Sequence, residues 1–226
     1  MYGVEGAMEG AALLAPDAGP HSHDIGGRDA MPILLAAAAL AQATPVPPPI
    51  APAAPAPVDV ARMAALYDEA CLQTFPIDGQ LDALMMKKGA TPMPADQVRI
   101  SLKEDPGRGW RVRDGDQTFV VLLELPPYHA CSVRASQNST GSSVDLAPYR
   151  AVVDRFVATH RDFAAQPPMD MTRGGIRIHG EMQSRPLPNG AENLLVINQQ
   201  IVDPKLLEPG TTSTPLRFVH QIVTKS

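Results

Sequence analysis

The sequence predicts an α+β domain, with helices packed on a mainly antiparallel β-sheet and one disulfide tying the two layers together. Three observations carry this. Blocks at 59–72, 78–88 and 145–164 have helical apolar spacing. Between and after them come runs of β-rich or alternating residues, several in succession rather than one per helix. Two cysteines are present, Cys71 in a helical block and Cys131 in a strand block.

The first helix opens at Asp59 and runs to about Leu72, placing Val60, Met63, Ala64, Tyr67 and Cys71 on one face. Phe75-Pro76 ends it. Asp78 caps a second helix whose apolar side is Leu81, Leu84 and Met85; Lys87 and Lys88 suit its negative C-terminal end, and Gly89 stops it. The third and longest spans Asp145 to Ala164, with Pro148 tolerated in its first turn and a stripe of Leu146, Tyr149, Val153, Phe156, His160 and Phe163.

The strands follow from alternation. Val98, Ile100 and Leu102 alternate with Arg99, Ser101 and Lys103 and predict a strand, followed by a turn at Pro106–Gly109. Trp110–Arg113 and Thr118–Leu125 predict a hairpin joined through Asp114-Gly115. After Pro126-Pro127, His129–Ala135 is a strand holding Cys131; Gln137–Ser143 is a polar loop with a formal Asn138-Ser139-Thr140 glycosylation sequon, read as a chance match. Ile176–Gln183, Leu194–Val202 and Leu216–Val223 are further strands, with a long turn over 186–193. No internal repeat stands out by residue identity, although the order is compatible with helix-then-strands twice over.

Residues 58–226 form the predicted single domain. Before it the chain reads as export machinery. From Met31, Ile33–Ala41 is a short apolar run and Ala41-Gln42-Ala43 an A-x-A site, the pattern of a signal peptide over 31–43 cleaved after Ala43. The run is far below the roughly 20 apolar residues a bilayer span needs. Residues 1–30 show neither helical nor strand period and are expected to be a mis-assigned extension, Met31 being the true start, or a disordered leader. His21 and His23 lie there with no third ligand near them. Residues 44–57, TPVPPPIAPAAPAP, form a Pro/Ala-rich tether of polyproline II type. The localisation expected is periplasmic or secreted, with no transmembrane segment after cleavage.

An even cysteine count in an exported chain points to a Cys71–Cys131 disulfide. The alternative is a reactive thiol at Cys131, two residues after His129; no Cys-x-x-Cys supports redox work.

Charge excludes one class of function. The chain has 19 basic and 24 acidic residues; residues 1–43 hold Arg28 and five acids, leaving 18 basic and 19 acidic in the remainder. A domain that close to neutral does not draw in a phosphate backbone, so no nucleic acid is expected as a partner. No phosphate loop, nucleophile elbow, HExxH or paired Cys/His set occurs, so no catalytic, cofactor or metal residues are assigned. Asp114 and Asp116 flank a turn glycine and supply too few oxygens for a calcium loop. His160 reads as packed in its helix stripe. The surface-site candidates that remain are Trp110, Arg173, Arg177 and His179, the last three with Glu181 as a polar groove along one strand.

Ala70-Cys71, Phe75-Pro76, Pro106-Gly107-Arg108-Gly109-Trp110 and Ala130-Cys131-Ser132-Val133 together resemble a group of small, uncharacterised exported proteobacterial proteins and lipoproteins with a two-cysteine domain. The resemblance covers about 70 residues, from Leu66 to Ala135, and this chain departs from it by lacking a lipobox cysteine. It implies an envelope location and a Cys–Cys link, with no activity and no catalytic residues to carry over. The function expected is non-catalytic: an exported envelope protein binding a protein or a cell-wall or glycan component. The alternatives are a small periplasmic hydrolase, built from scattered His and Asp, and an inhibitor or immunity protein. N-terminal sequencing of the native protein is expected to find Thr44 first; an intact Met1 contradicts the export reading.

Overall fold

The computed structural model describes residues 57–138, 144–206 and 213–224. The leader, signal, tether and most of the polar loop with its sequon lie outside the described residues. Helix α1 is Val60–Tyr67 and continues into a π-type turn at Asp68–Leu72; α2 is Asp78–Lys87, α3 Ala95–Ser101 and α4 Ala147–Thr159. The strands are β1 (Thr91–Pro92), β2 (Gly107–Asp114), β3 (Gln117–Glu124), β4 (Ala130–Asn138), β5 (Ala164–Ala165), β6 (Met169–Arg173), β7 (Ile176–Leu187), β8 (Gly190–Ile201) and β9 (Ser213–Thr224). They form one sheet in the order β1-β2-β3-β4-β9-β8-β7-β5, with β6 also on β7, and every pairing is antiparallel. The α+β class and the disulfide therefore hold.

The strand order is symmetric about the β4–β9 seam. Each half runs helix first (α1 or α4), then an edge strand, then a meander whose last strand reaches the centre. Sequence identity gave no sign of this duplication, because α2 and α3 have no counterpart after α4.

Burial follows the pleat. Phe119, Val121 and Leu123 of β3, Cys131, Val133 and Ala135 of β4, Leu194 and Val196 of β8, and Leu216 and Phe218 of β9 share one face and meet Met63, Tyr67, Ala70, Tyr149 and Val153 from α1 and α4. Tyr67 and Tyr149 both pack on Phe218, with ring centroids 5.7 and 4.6 Å away. The Tyr67 hydroxyl donates to the Val219 carbonyl (2.9 Å), so the largest buried polar tip in this core is satisfied. Cys71 and Cys131, both fully buried, close the disulfide with Cα atoms 5.4 Å apart.

Local chemistry explains the element ends. Asp59 caps α1, its carboxylate accepting from the Arg62 N–H at 3.0 Å. Gly89 terminates α2 at φ 63°, and Gly115 makes the β2–β3 turn at φ 60°. Gly109 sits inside β2 because a Cβ there would lie 2.4 Å from the Leu122 side chain.

Four predicted elements need correction. Residues 98–102 are not a strand: Val98 and Leu102, four apart, are buried on Leu122 from α3, while Ile100 between them is 71% exposed. A run of three alternating apolar residues is too short to distinguish the two periods. Pro106–Gly109 is not a turn alone, since β2 already begins at Gly107. Helix α4 stops at Thr159 rather than Ala164. The Thr159 hydroxyl and the His160 Nδ1–H both donate to the Phe156 carbonyl (2.9 and 2.8 Å), and Asp162 takes a left-handed φ of 75°. The long turn over 186–193 is a two-residue hairpin at Pro188-Asn189, with Leu187 paired to Gly190.

Candidate functional site

Strand β7 is polar on the face it shows to the helices. Its Glu181 and Gln183 lie opposite Val196 and Leu194, both core residues, so Arg177, His179, Glu181, Gln183 and Arg185 all point to the helix side. Helix α4 covers β9 and β8 but leaves β7 uncovered at this edge. The result is a cleft of about 380 Å³ between α4 and the edge of the sheet. Tyr149, Arg150, Val153 and Asp154 line it from α4, Ala165, Gln166 and Pro168 from the edge segment, and His179, Glu181, Met182 and Gln183 from β7.

The edge segment is shaped by its prolines. β5 and β6 lie end to end along β7, and the register slips by one residue between them, from Ala165 opposite Gln183 to Met169 opposite Gly180. Pro167-Pro168 cannot supply ladder donors, so the strand breaks there and only the Gln166 N–H still reaches β7, at the Met182 carbonyl (2.9 Å). The break opens one end of the cleft.

One flank is a chain of alternating charges. Arg177 holds Asp170 through two hydrogen bonds (2.9 and 3.0 Å); His179 touches Asp170 through Nδ1 and Glu181 through Nε2, both at 3.2 Å; Arg150 holds Glu181 through two more (2.9 and 2.5 Å). The hydrogen bonds from Arg177 and then His179 hold the Asp170 carboxyl down at about 2. The bond from Arg150 outweighs partial burial and, with His179, keeps Glu181 below the ordinary glutamate range. Both acids are therefore ionised near neutrality and paired. The two His179 nitrogens point to different carboxylates rather than to one common point, and among the described residues no group of three His, Cys, Asp or Glu is set to hold a metal.

The floor carries a different feature. Tyr149 is 3% exposed and lines the cleft. Burial and then the nearby Glu181 carboxylate push its ionisation far above the usual tyrosine value, so it is a neutral O–H that can donate and accept. None of the lining residues is Ser, Thr, Cys or Lys.

The four surface candidates separate. His179 lines the cleft, and Arg177 supports it through Asp170. Arg173 lies opposite Ile176 in β6, which puts it on the other face of the sheet. Trp110 is 8% exposed and belongs to the core, so it offers no surface platform. Tyr149, Arg150, Gln166 and Gln183 carried no sequence signal as site residues; Tyr149 was legible only as part of the α4 stripe.

Two other histidines also sit beside carboxylates, away from the cleft. His129 Nε2 meets Asp78 at 2.8 Å. His220 is buried; its Nδ1–H donates to the Cys71 carbonyl (2.8 Å) and Nε2 meets Glu192 (2.7 Å), while Arg185 also binds Glu192. His160 stacks on Phe156 with ring centroids 3.9 Å apart. No protein-family model, curated protein or solved structure matches the chain.

Burial alone would raise the Glu192 carboxyl, but hydrogen bonds from His220 and Arg185 outweigh it and leave it below 4.5. A depressed folded-state pKa stabilises the fold above the unfolded value and loses that contribution as pH falls through the folded one. Urea midpoints are therefore expected to be flat just above pH 4.5 and to fall below it. Glu192→Gln is expected to lose about 2 kcal/mol at neutral pH, by leaving the half-buried Arg185 guanidinium without its counter-charge, and to show a shallower acid limb. An unchanged acid limb in the variant contradicts this assignment.

Proposed function

We propose that the chain is an exported, non-catalytic envelope protein that binds an uncharged, hydroxyl-rich ligand of glycan type in the α4–β7 cleft. The observation that carries the reading is the cleft lining, which sets the ring and hydroxyl of the largely buried Tyr149 among Gln166, Gln183 and Asp154. A phenol hydroxyl and carboxamides facing one cleft both donate and accept, which matches a ligand rich in hydroxyl groups. The cleft lies within the size range of small-ligand sites and combines an apolar floor (Tyr149, Val153, Pro168) with a few convergent polar groups (Gln183, Gln166, Asp154). Its strongest charges, Arg150 and Glu181, already neutralise one another, so a ligand gains by hydrogen bonding rather than by charge.

Export is supported by the signal-like segment from Met31 to Ala43 and is compatible with the buried disulfide. No described helix is long and apolar enough to cross a membrane. The hydrolase alternative draws on His179 beside Glu181, but both ring nitrogens are engaged by ionised carboxylates and no Ser, Thr, Cys or Lys lines the cleft.

The test is a titration of the disulfide-intact chain with short N-acetylated wall-sugar fragments, followed by amide chemical shifts. Shifts are expected to cluster at 149–154, 165–168 and 179–183. Tyr149→Phe is expected to weaken binding about fivefold, the worth of one hydrogen bond of about 1 kcal/mol, with little change in unfolding midpoint. No shifts at the cleft, or equal affinity in the variant, contradict the reading.

A further inference from the structure

On the opposite face of the sheet the two halves differ. In the first half α3 covers that face, with Val98 and Leu102 on Leu122 and with Met93 and Val120 beside them. In the second half no described helix covers it. Strand register gives its composition: Ile197 lies opposite Arg217 and Gly180, and Met169 opposite Gly180; in the row on one side Ile178 lies between Met171 and the polar Gln199, and in the row on the other Leu195 lies between Val219 and Met182. Met169, Met171 and Met182 are among the exposed large apolar side chains.

Two arginines sit where this apolar strip meets the centre of the sheet. Arg134 of β4 and Arg217 of β9 are cross-strand partners. Arg134 donates to the Ser101 carbonyl (2.9 Å) and to Ser132 (3.2 Å). The Nε of Arg217 is shielded from solvent and has no hydrogen-bond partner among the described residues. Neither arginine is in a salt bridge with a carboxylate among the described residues, in contrast to Arg108, Arg150, Arg177 and Arg185. Desolvation, and then the facing Arg217 charge, lower the Arg134 guanidinium to about 10 against the opposing pull of the Glu124 carboxylate; desolvation lowers Arg217 too. Two like charges held side by side and partly desolvated, one with an unsatisfied Nε–H, are stabilised by an anion between or above them.

We propose that Arg217, with Arg134, binds the anionic head of a single-chain amphiphile whose tail lies across β8, β7 and β6. Polarity along the strip argues for that occupant. Along the row from Arg217 through Ile197 and Gly180 to Met169 the charge is at one end and the rest is apolar for three strand spacings, about 14 Å; Arg173 lies two rows away, at the end of β6. Methionines at the far end adapt to a flexible chain. A near-neutral domain does not adsorb to an anionic bilayer by long-range attraction, so the occupant is a single molecule rather than a membrane surface. The inference is independent of the cleft, which lies on the other face.

The experiment titrates the disulfide-intact chain with dodecanoate below its micelle concentration. Butyrate serves as the tail control, dodecyltrimethylammonium as the charge control and anionic phospholipid vesicles as the membrane control, all read by calorimetry. One dodecanoate per chain is expected, at least tenfold tighter than either small-molecule control. Arg217→Gln is expected to remove that preference without lowering the unfolding midpoint, since it deletes a partly desolvated charge whose Nε–H is unsatisfied. Ile197→Glu places a carboxylate opposite Arg217 and is expected to block the probe by supplying the missing counter-charge. Equal binding of the cationic amphiphile, binding to vesicles alone, or dodecanoate affinity unchanged in both variants overturns the proposal.

Discussion

The antiparallel pairing of β4 with β9 is the constraint on which the rest of the structure depends. Each half of the sheet has one face to bury and only one long helix to bury it under. The nine-residue seam places α1 and α4 side by side, so that Phe218 of the second half packs on Tyr67 of the first and Val133 lies opposite Phe218. The disulfide reinforces the same place. Cys131 is the cross-strand partner of His220, and His220 donates to the carbonyl of Cys71, so covalent link, hydrogen bond and strand ladder converge within one buried region. In the chain-entropy picture a link across 60 residues contributes about 4 kcal/mol, a large share of the stability of a domain this size.

The same geometry explains why function collects in the second half. In the first half α2 and α3 fill both sides of the sheet: Asp82 of α2 clamps Arg108 of β2, and α3 covers Leu122 from the other face. Among the described residues the second half has one α-helix, α4. Its outer strand β7 is therefore polar toward the helix side, where it makes the cleft, and apolar on the other side, where it joins the open strip. The asymmetry of an otherwise paired design leaves surface available on both faces of β7.

Some of this was legible in the sequence. The α1 period, the Asp59 cap, Gly89, the Asp114-Gly115 turn and the cysteine pair are local signals with local causes, and they gave the class and the link between layers. Other features rest on long-range contacts. Arg150 reaches Glu181 across 31 residues, and nothing in either neighbourhood announces the partner. Val98, Ile100 and Leu102 alternate like a strand, yet Leu122 decides which two are buried. The Pro188-Asn189 hairpin was hidden inside a stretch rich in turn residues, where a longer loop fits the composition equally well. Grouping Arg177, His179 and Glu181 on one face was sound because strand alternation is local; Arg173 fell outside because Gly174-Gly175 reverses the chain between β6 and β7.

The most direct test of the seam is native-state hydrogen exchange on the disulfide-intact protein. If β4 and β9 bind two incomplete halves into one cooperative unit, central amides of β3 (Val121–Leu123) and β8 (Leu194–Val196) exchange with the same opening free energy as those of β4 and β9, equal to the global value. Reduction of Cys71–Cys131 then lowers all of them together. If the β7–β8 half instead opens at a much lower free energy while β2–β4 stays protected, the seam does not hold the two halves as one and the account is contradicted.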